Sequence, residues 1–213
     1  MDGLSATMHQ CRKIWLMFPP TEHNLTVLRR ELGQSMRLAR LAEALEGGIA
    51  VKTDSTQAIF IPAGCLHACF TTSGGFLVSI DCTTRVSVRP FSRYLQHGLY
   101  QELDSEGQRD IFYKFLDALE VAVSNDKSDV AIEAWIRAEE QLRGFSEREP
   151  AWRARATQIL GHIAPLERCV CENPGEGFWS DHWASQHTAF LSIIEARIVS
   201  ASRSGVRRHQ MTT

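Results

Sequence analysis

The stretch Ile61-Pro62-Ala63-Gly64-Cys65-Leu66-His67-Ala68-Cys69-Phe70 decides how this chain is read. A short apolar run ends at a proline, a Pro-x-Gly turn follows, and alternating residues resume beyond it. That is the pattern of two strands joined by a tight turn. Period-two alternation puts Cys65, His67, Cys69 and Thr71 on one face. The residues beside His67 on that face are small or polar, so an imidazole there can look into the mouth of a small β-barrel and serve as a metal ligand.

Outward from this stretch, Lys13–Phe18 is a short apolar run stopped by Pro19-Pro20, and it reads as a buried strand. Helix follows from Thr21, its cap, to about Leu45, with Gly33-Gln34 as a break and Gly47-Gly48 as the stop. Ile49–Lys52 and Ala58–Ile61 are strands around the turn Thr53–Thr56. His67–Thr71 and Phe76–Cys82 are strands around Gly74-Gly75. From about residue 86 the texture changes to amphipathic helices. Ser105 with Gln108 and Ser146 with Glu149 have capping-box spacing. Trp135, Trp152, Trp179 and Trp183 are expected in the helical core, and Arg148, Arg153 and Arg155 on a solvated face. A last helix is expected from about Ser180 to Ser202, then a basic tail at Arg203–Arg208. The expected fold class is therefore α+β, with a β unit over 1–84 carrying a helical insert and an all-helical region over 85–213.

Composition narrows the function classes. The 213 residues are 44% hydrophobic with a formal net charge of −2. That charge gives no electrostatic case for nucleic acid or an anionic membrane as partner. No apolar run approaches the roughly 18 residues of a membrane span, and Met1–Leu4 lacks the basic, then apolar, start of a secretory signal. With six scattered cysteines, the expected location is intracellular, nuclear or cytoplasmic, with the cysteines as thiols or metal ligands.

Four pieces, in order, resemble the C-terminal half of a JmjC domain, in the flavour of the plant-homeodomain-finger-linked histone demethylases and fungal JmjC-like proteins. They are Lys13–Leu25, Leu45–Ile49, Asp54–Ala68 and Gly74–Leu77. The resemblance spans about residues 10 to 84. It implies part of a double-stranded β-helix (cupin) fold and Fe(II)/2-oxoglutarate-dependent hydroxylation, often of lysine N-methyl groups, with a histone or other protein as substrate. By this resemblance His67 falls on the family's second metal histidine. Lys13 falls on the lysine that pairs with the distal carboxylate of 2-oxoglutarate, and Asp81 on a position near the cosubstrate. An Asp81–Lys13 ion pair is the neutral alternative. One element of the pattern is absent: the family's His-x-Asp/Glu pair lies well upstream of the strand lysine, whereas His9-Gln10-Cys11 offers a sulfur and sits too near Lys13. The resemblance therefore implies a truncated JmjC-like protein, inactive alone. The alternatives are an oxygenase completed by upstream sequence or a partner chain, and an interaction scaffold that self-associates through open strand edges.

A second constellation lies in the helical half. Cys169, Cys171, His182 and His187 follow Cys-x-Cys-x10-His-x4-His. The histidine pair has finger-like spacing, while Cys-x-Cys is tight for a zinc finger. Five residues apart on an α-helix, the two histidines would not align well. The two readings are a structural zinc site stapling the tail, and free thiols beside two surface histidines.

Overall fold

The computed structural model describes residues 2–31, 37–173 and 178–191. Six strands come first: β1 Asp2–Met8, β2 Arg12–Phe18, β3 Ile49–Thr53, β4 Ala58–Ile61, β5 Leu66–Ser73 and β6 Phe76–Cys82. Two short helices, α1 Glu22–Arg30 and α2 Arg37–Leu41, are inserted between β2 and β3. Then come α3 Val88–Gln96, α4 Ser105–Ser124, α5 Ser128–Ser146, α6 Pro150–Leu160 and α7 Trp179–His182. The architecture is α+β.

The strands form two three-stranded antiparallel sheets, ordered β4-β1-β6 and β3-β2-β5. Each sheet takes one strand from each hairpin, so the chain crosses between sheets at His9-Gln10, Asp54–Gln57, Pro62–Cys65 and Gly74-Gly75. Among the described residues the sheets do not close into a barrel, because β3, β4, β5 and β6 are each bonded to a neighbour on one side only. Their facing sides meet in a small core of Trp15, Met17 and Ile61, with Val51, Ile59, Cys65 and Leu77 against it.

β1 corrects the sequence reading, which starts the strands at Lys13. Asp2–Met8 has no β-branched run to announce a strand. Its place comes from pairing on both edges, with Leu4 opposite Phe60 on one side and Ile80 on the other. The strand inverts the usual pattern. Ser5 and Thr7 are buried on the inner face, while Leu4 and Met8 point outward and are exposed.

The helical insert is shorter than the expected Thr21–Leu45. Thr21 caps α1 by accepting from the Asn24 N–H, and α1 ends at Arg30, with Glu31 extended. The expected break at Gly33-Gln34 lies outside the described residues. Leu25, Val27, Leu28, Leu41 and Leu45 pack with Phe18, Leu16 and Leu66 on the outer face of the β3-β2-β5 sheet. Asn24 is fully buried and satisfied three ways: its amide donates to the carbonyls of Pro19 and Glu46, and its Oδ1 accepts from the Glu46 N–H.

In the helical half both expected capping boxes are displaced. The cap of α4 is Asp104, whose carboxylate accepts from the Gly107 N–H. Ser146 is the buried last residue of α5, donating to the Arg143 carbonyl, and α6 starts at Pro150, where proline's missing N–H costs nothing. Trp135 and Trp152 are buried at the centre, 6.2 Å apart and stacked, and the Trp152 indole N–H donates to the Phe112 carbonyl at 2.9 Å. Trp183 is buried and Trp179 packs against this core. Arg153 departs from the solvated-face expectation: it is buried and donates to the Ser146 carbonyl. Arg155 pairs with Asp117 and Glu120 of α4. The tail at Arg203–Arg208, and the expected last helix beyond Leu191, lie outside the described residues.

The two halves are joined at Asp2. Its carboxylate accepts from the Ala63 N–H, Thr84 Oγ1 and Ser87 Oγ.

Candidate functional site

An open cleft of about 500 Å³ lies between the sheets. β1 contributes Gly3 and Ser5, β2 Trp15, β5 His67 and Cys69, and β6 Leu77, Ser79 and Asp81. Pairing explains the gathering. Trp15 is opposite Cys69 and Met17 opposite His67, so His67 shares the inner face with Trp15. Across the cleft Ser5 is opposite Ser79 and Gly3 opposite Asp81, and the two serine hydroxyls bond at 2.7 Å. Behind them the Trp15 indole N–H donates to Thr53 Oγ1, which also bonds Thr7 Oγ1, both at 3.0 Å. This buried network fixes the Trp15 ring, whose centroid is 6.3 Å from that of His67.

His67 is exposed at the mouth, with Nδ1 bonded to the Cys65 carbonyl at 3.0 Å. The carbonyl only accepts, so Nδ1 carries the proton and Nε2 is free to take one or to bind a metal. Lys13 is on the same sheet face but donates to Thr71 Oγ1 at 2.8 Å. Asp81 lines the cleft, and Lys13 makes no ion pair with it. Burial pushes the thiols of Cys65 and Cys69 up, only partly offset at Cys69 by the Lys13 ammonium. Neither is therefore a ready thiolate at neutral pH.

This donor set does not fit an iron centre. A facial triad needs two imidazoles and a carboxylate with their ligand atoms on one point. The cleft has one imidazole, and His9 sits on the turn after β1, packed against Phe76 with ring centroids 4.8 Å apart. Among the described residues, the His, Cys, Asp and Glu side chains that gather in a group of three or more are elsewhere: Cys169, Cys171, His182 and His187.

In that group the four ligand atoms lie within 4.8 Å of one another. The cysteines come from the loop after α6. His182 ends α7, and His187 ends a π-helical turn over Trp183–His187. The Thr188 N–H reaches back five residues to the Trp183 carbonyl. On a regular α-helix residues five apart lie about 140° round from each other. The wider i→i+5 turn brings both rings to one side, and the misalignment expected from sequence is removed. Cys169 and His187 are buried. His187 Nδ1 bonds Glu139 Oε2 of α5 at 2.7 Å, and the Trp135 indole N–H donates to the His187 carbonyl at 3.0 Å.

No family model matches this chain. Part of it is similar to the JmjC domain-containing histone demethylation protein 1 of Saccharomyces cerevisiae. The two are 32% identical over 84 residues, which is 36% of this chain and 17% of the relative. That match supports a relation to JmjC proteins over about a third of the chain, and the matched part spans about a sixth of the relative's length. Among the described residues no helix is long and apolar enough to cross a membrane.

Sequence reasoning passed over Gly3, Ser5 and Glu139. The first two lie on the unexpected strand. Glu139 belongs to a helix more than 40 residues from the nearest histidine it serves, and no local spacing links the two.

Proposed function

We propose that this chain is a JmjC-related module that does not turn over 2-oxoglutarate by itself and works by binding protein. The observation that carries this is the donor set of the cleft: one imidazole, His67, facing one carboxylate, Asp81, with Lys13 engaged by Thr71. Iron held by so few ligands exchanges readily, since affinity rests on several donors fixed together. The relative's name, a histone demethylation protein, supports a histone or another nuclear protein as the partner class.

The outer face of the β4-β1-β6 sheet supports the binding role. Leu4, Met8, Phe60, Phe76, Val78 and Ile80 share that face, each between 38% and 61% exposed. A contiguous apolar sheet face of this kind marks an interaction surface, and the one-sided strands β5 and β6 offer edges for self-association.

The experiment is a succinate-release assay with Fe(II), 2-oxoglutarate and ascorbate, run beside light scattering. The expected result is no turnover above buffer, with self-association that Ile80→Lys weakens. Turnover that disappears in His67→Ala would overturn the proposal, and would favour an oxygenase completed by a partner chain.

A further inference from the structure

We infer that Cys169, Cys171, His182 and His187 form a closed, structural zinc site. It locks the loop after α6 and the α7 turn onto the helical core. This inference is independent of the function proposed for the cleft.

Distances argue first. Zinc takes tetrahedral nitrogen and sulfur ligands, with bonds of about 2.0–2.1 Å to nitrogen and about 2.3 Å to sulfur. Such a tetrahedron has N–N edges of about 3.3 Å and N–S edges of about 3.5 Å. Here the Nε2 atoms of His182 and His187 are 3.3 Å apart, Cys171 Sγ is 3.2 Å from His182 Nε2, and Cys169 Sγ is 3.6 Å from His187 Nε2. Four side chains from two separate segments thus present three edges of a coordination tetrahedron, with all four ligand atoms within 4.8 Å of one another.

Proton bookkeeping argues second. Glu139 accepts, so His187 Nδ1 donates to it and a neutral His187 has a bare lone pair on Nε2. That lone pair faces His182 Nε2 at 3.3 Å. The two cysteine sulfurs converge on the same pair of nitrogens, Cys171 Sγ on His182 Nε2 and Cys169 Sγ on His187 Nε2. A cation at the centre satisfies all four groups together. A carboxylate behind the imidazole, setting its tautomer and raising its basicity, is the usual support of a metal-bound histidine.

The ligand set selects the ion. Two thiolates with two imidazoles in a tetrahedral arrangement suit zinc, whereas magnesium, calcium and manganese favour oxygen donors. Four protein ligands leave no open position for water or substrate, so the site stabilises rather than catalyses. Its anchorage agrees. His187 is tied to α5 twice, by its Nδ1 to Glu139 and by its carbonyl to Trp135, and the Trp183 ring packs on its imidazole at 5.5 Å. Metal binding here joins the Cys169–Cys171 loop to Trp135, a fully buried tryptophan of the core.

The test is metal analysis of the full chain, purified without chelator, and of Cys171→Ser. Cys171 is only half-buried, so its replacement by serine leaves the core packing in place. The expected result is one zinc per wild-type chain and loss of most of it in the variant, with His67→Ala retaining the full complement. Stripped protein reloaded with Co(II) gives the intense visible bands of a tetrahedral thiolate site. A stripped chain that neither takes up zinc nor changes its melting temperature on adding zinc overturns the inference. So does a zinc content unchanged in Cys171→Ser. Should the variant fail to fold, the cobalt spectrum of the wild type decides alone: octahedral, weak bands would exclude this ligand set.

Discussion

The imidazole of His187 donates through Nδ1 to Oε2 of Glu139 at 2.7 Å, and this bond ties the last turn of the described tail to the middle of α5. A carboxylate in that position sets the tautomer of the neutral ring, with the proton on Nδ1, and orients Nε2 toward Cys169 and His182.

Glu139→Ala is therefore expected to weaken zinc binding by about 10–100-fold, the usual cost of losing such a support. Competition against a chromophoric chelator measures it. Glu140→Ala, at the exposed neighbouring position, is the control and should leave affinity unchanged. Equal affinity in wild type and Glu139→Ala would show that the carboxylate has no hold on the metal.

His67→Ala is expected to change stability by less than about 0.5 kcal/mol, the range for exposed side chains away from special features. The imidazole is exposed and its one bond is local, to the Cys65 carbonyl two residues back. Urea unfolding reads the effect. A loss of several kcal/mol would mean that His67 is part of a buried network, contrary to its place at the cleft mouth.

Much of this fold was legible because its turns are written in proline and glycine. Pro19-Pro20 ends β2, Gly47-Gly48 precedes β3, and Pro62–Gly64 and Gly74-Gly75 separate the later strands. β1 escaped because its polar side chains face inward and its apolar ones outward, so hydropathy pointed the wrong way. The alternation itself was present: Leu4, Ala6 and Met8 against Gly3, Ser5 and Thr7. The metal cluster was half legible. Its four residues are visible as a pattern, but the histidine spacing contradicts an α-helix, and only a π-helical turn reconciles them. A backbone irregularity of that kind depends on tertiary contacts, here the clamp on His187 by Trp135 and Glu139, which no local sequence pattern reports.

Asp2 gives the seam between strands and helices a pH dependence. Burial opposes its charge, but hydrogen bonds from Ser87, the Ala63 N–H and Thr84 outweigh burial and hold its pKa below the ordinary 3.8. A carboxylate with a depressed folded pKa adds stability that is complete above 3.8 and is lost as pH falls through the folded value. Asp2→Asn leaves donors facing an amide and is expected to cost about 1–3 kcal/mol at neutral pH. The difference between wild type and variant should shrink on acidification below about pH 4. Denaturation curves across that range check it, and a pH-independent gap would assign the cost to packing instead.

The paired glycines between β5 and β6 separate two kinds of turn residue. Gly75 has φ of +127°, and a Cβ there would lie 2.5 Å from Cys11 Cβ and 2.6 and 2.7 Å from the carbonyl oxygens of Met8 and His9. A Cβ on Gly74 would meet nothing within 4 Å. The β5–β6 turn thus sits directly against the β1–β2 turn, and the backbone of one occupies the space where a side chain on the other would go. Gly75→Ala must both strain φ and push the two turns apart, so it is expected to destabilise by more than about 1 kcal/mol, while Gly74→Ala stays within about 1 kcal/mol of wild type. Parallel urea titrations of the two variants decide it. The contrast matters for the cleft, because the two turns hold β1 and β6 of one sheet in line with β2 and β5 of the other. Variants of equal stability would mean that the sheets are held in place by the Trp15, Met17 and Ile61 core alone.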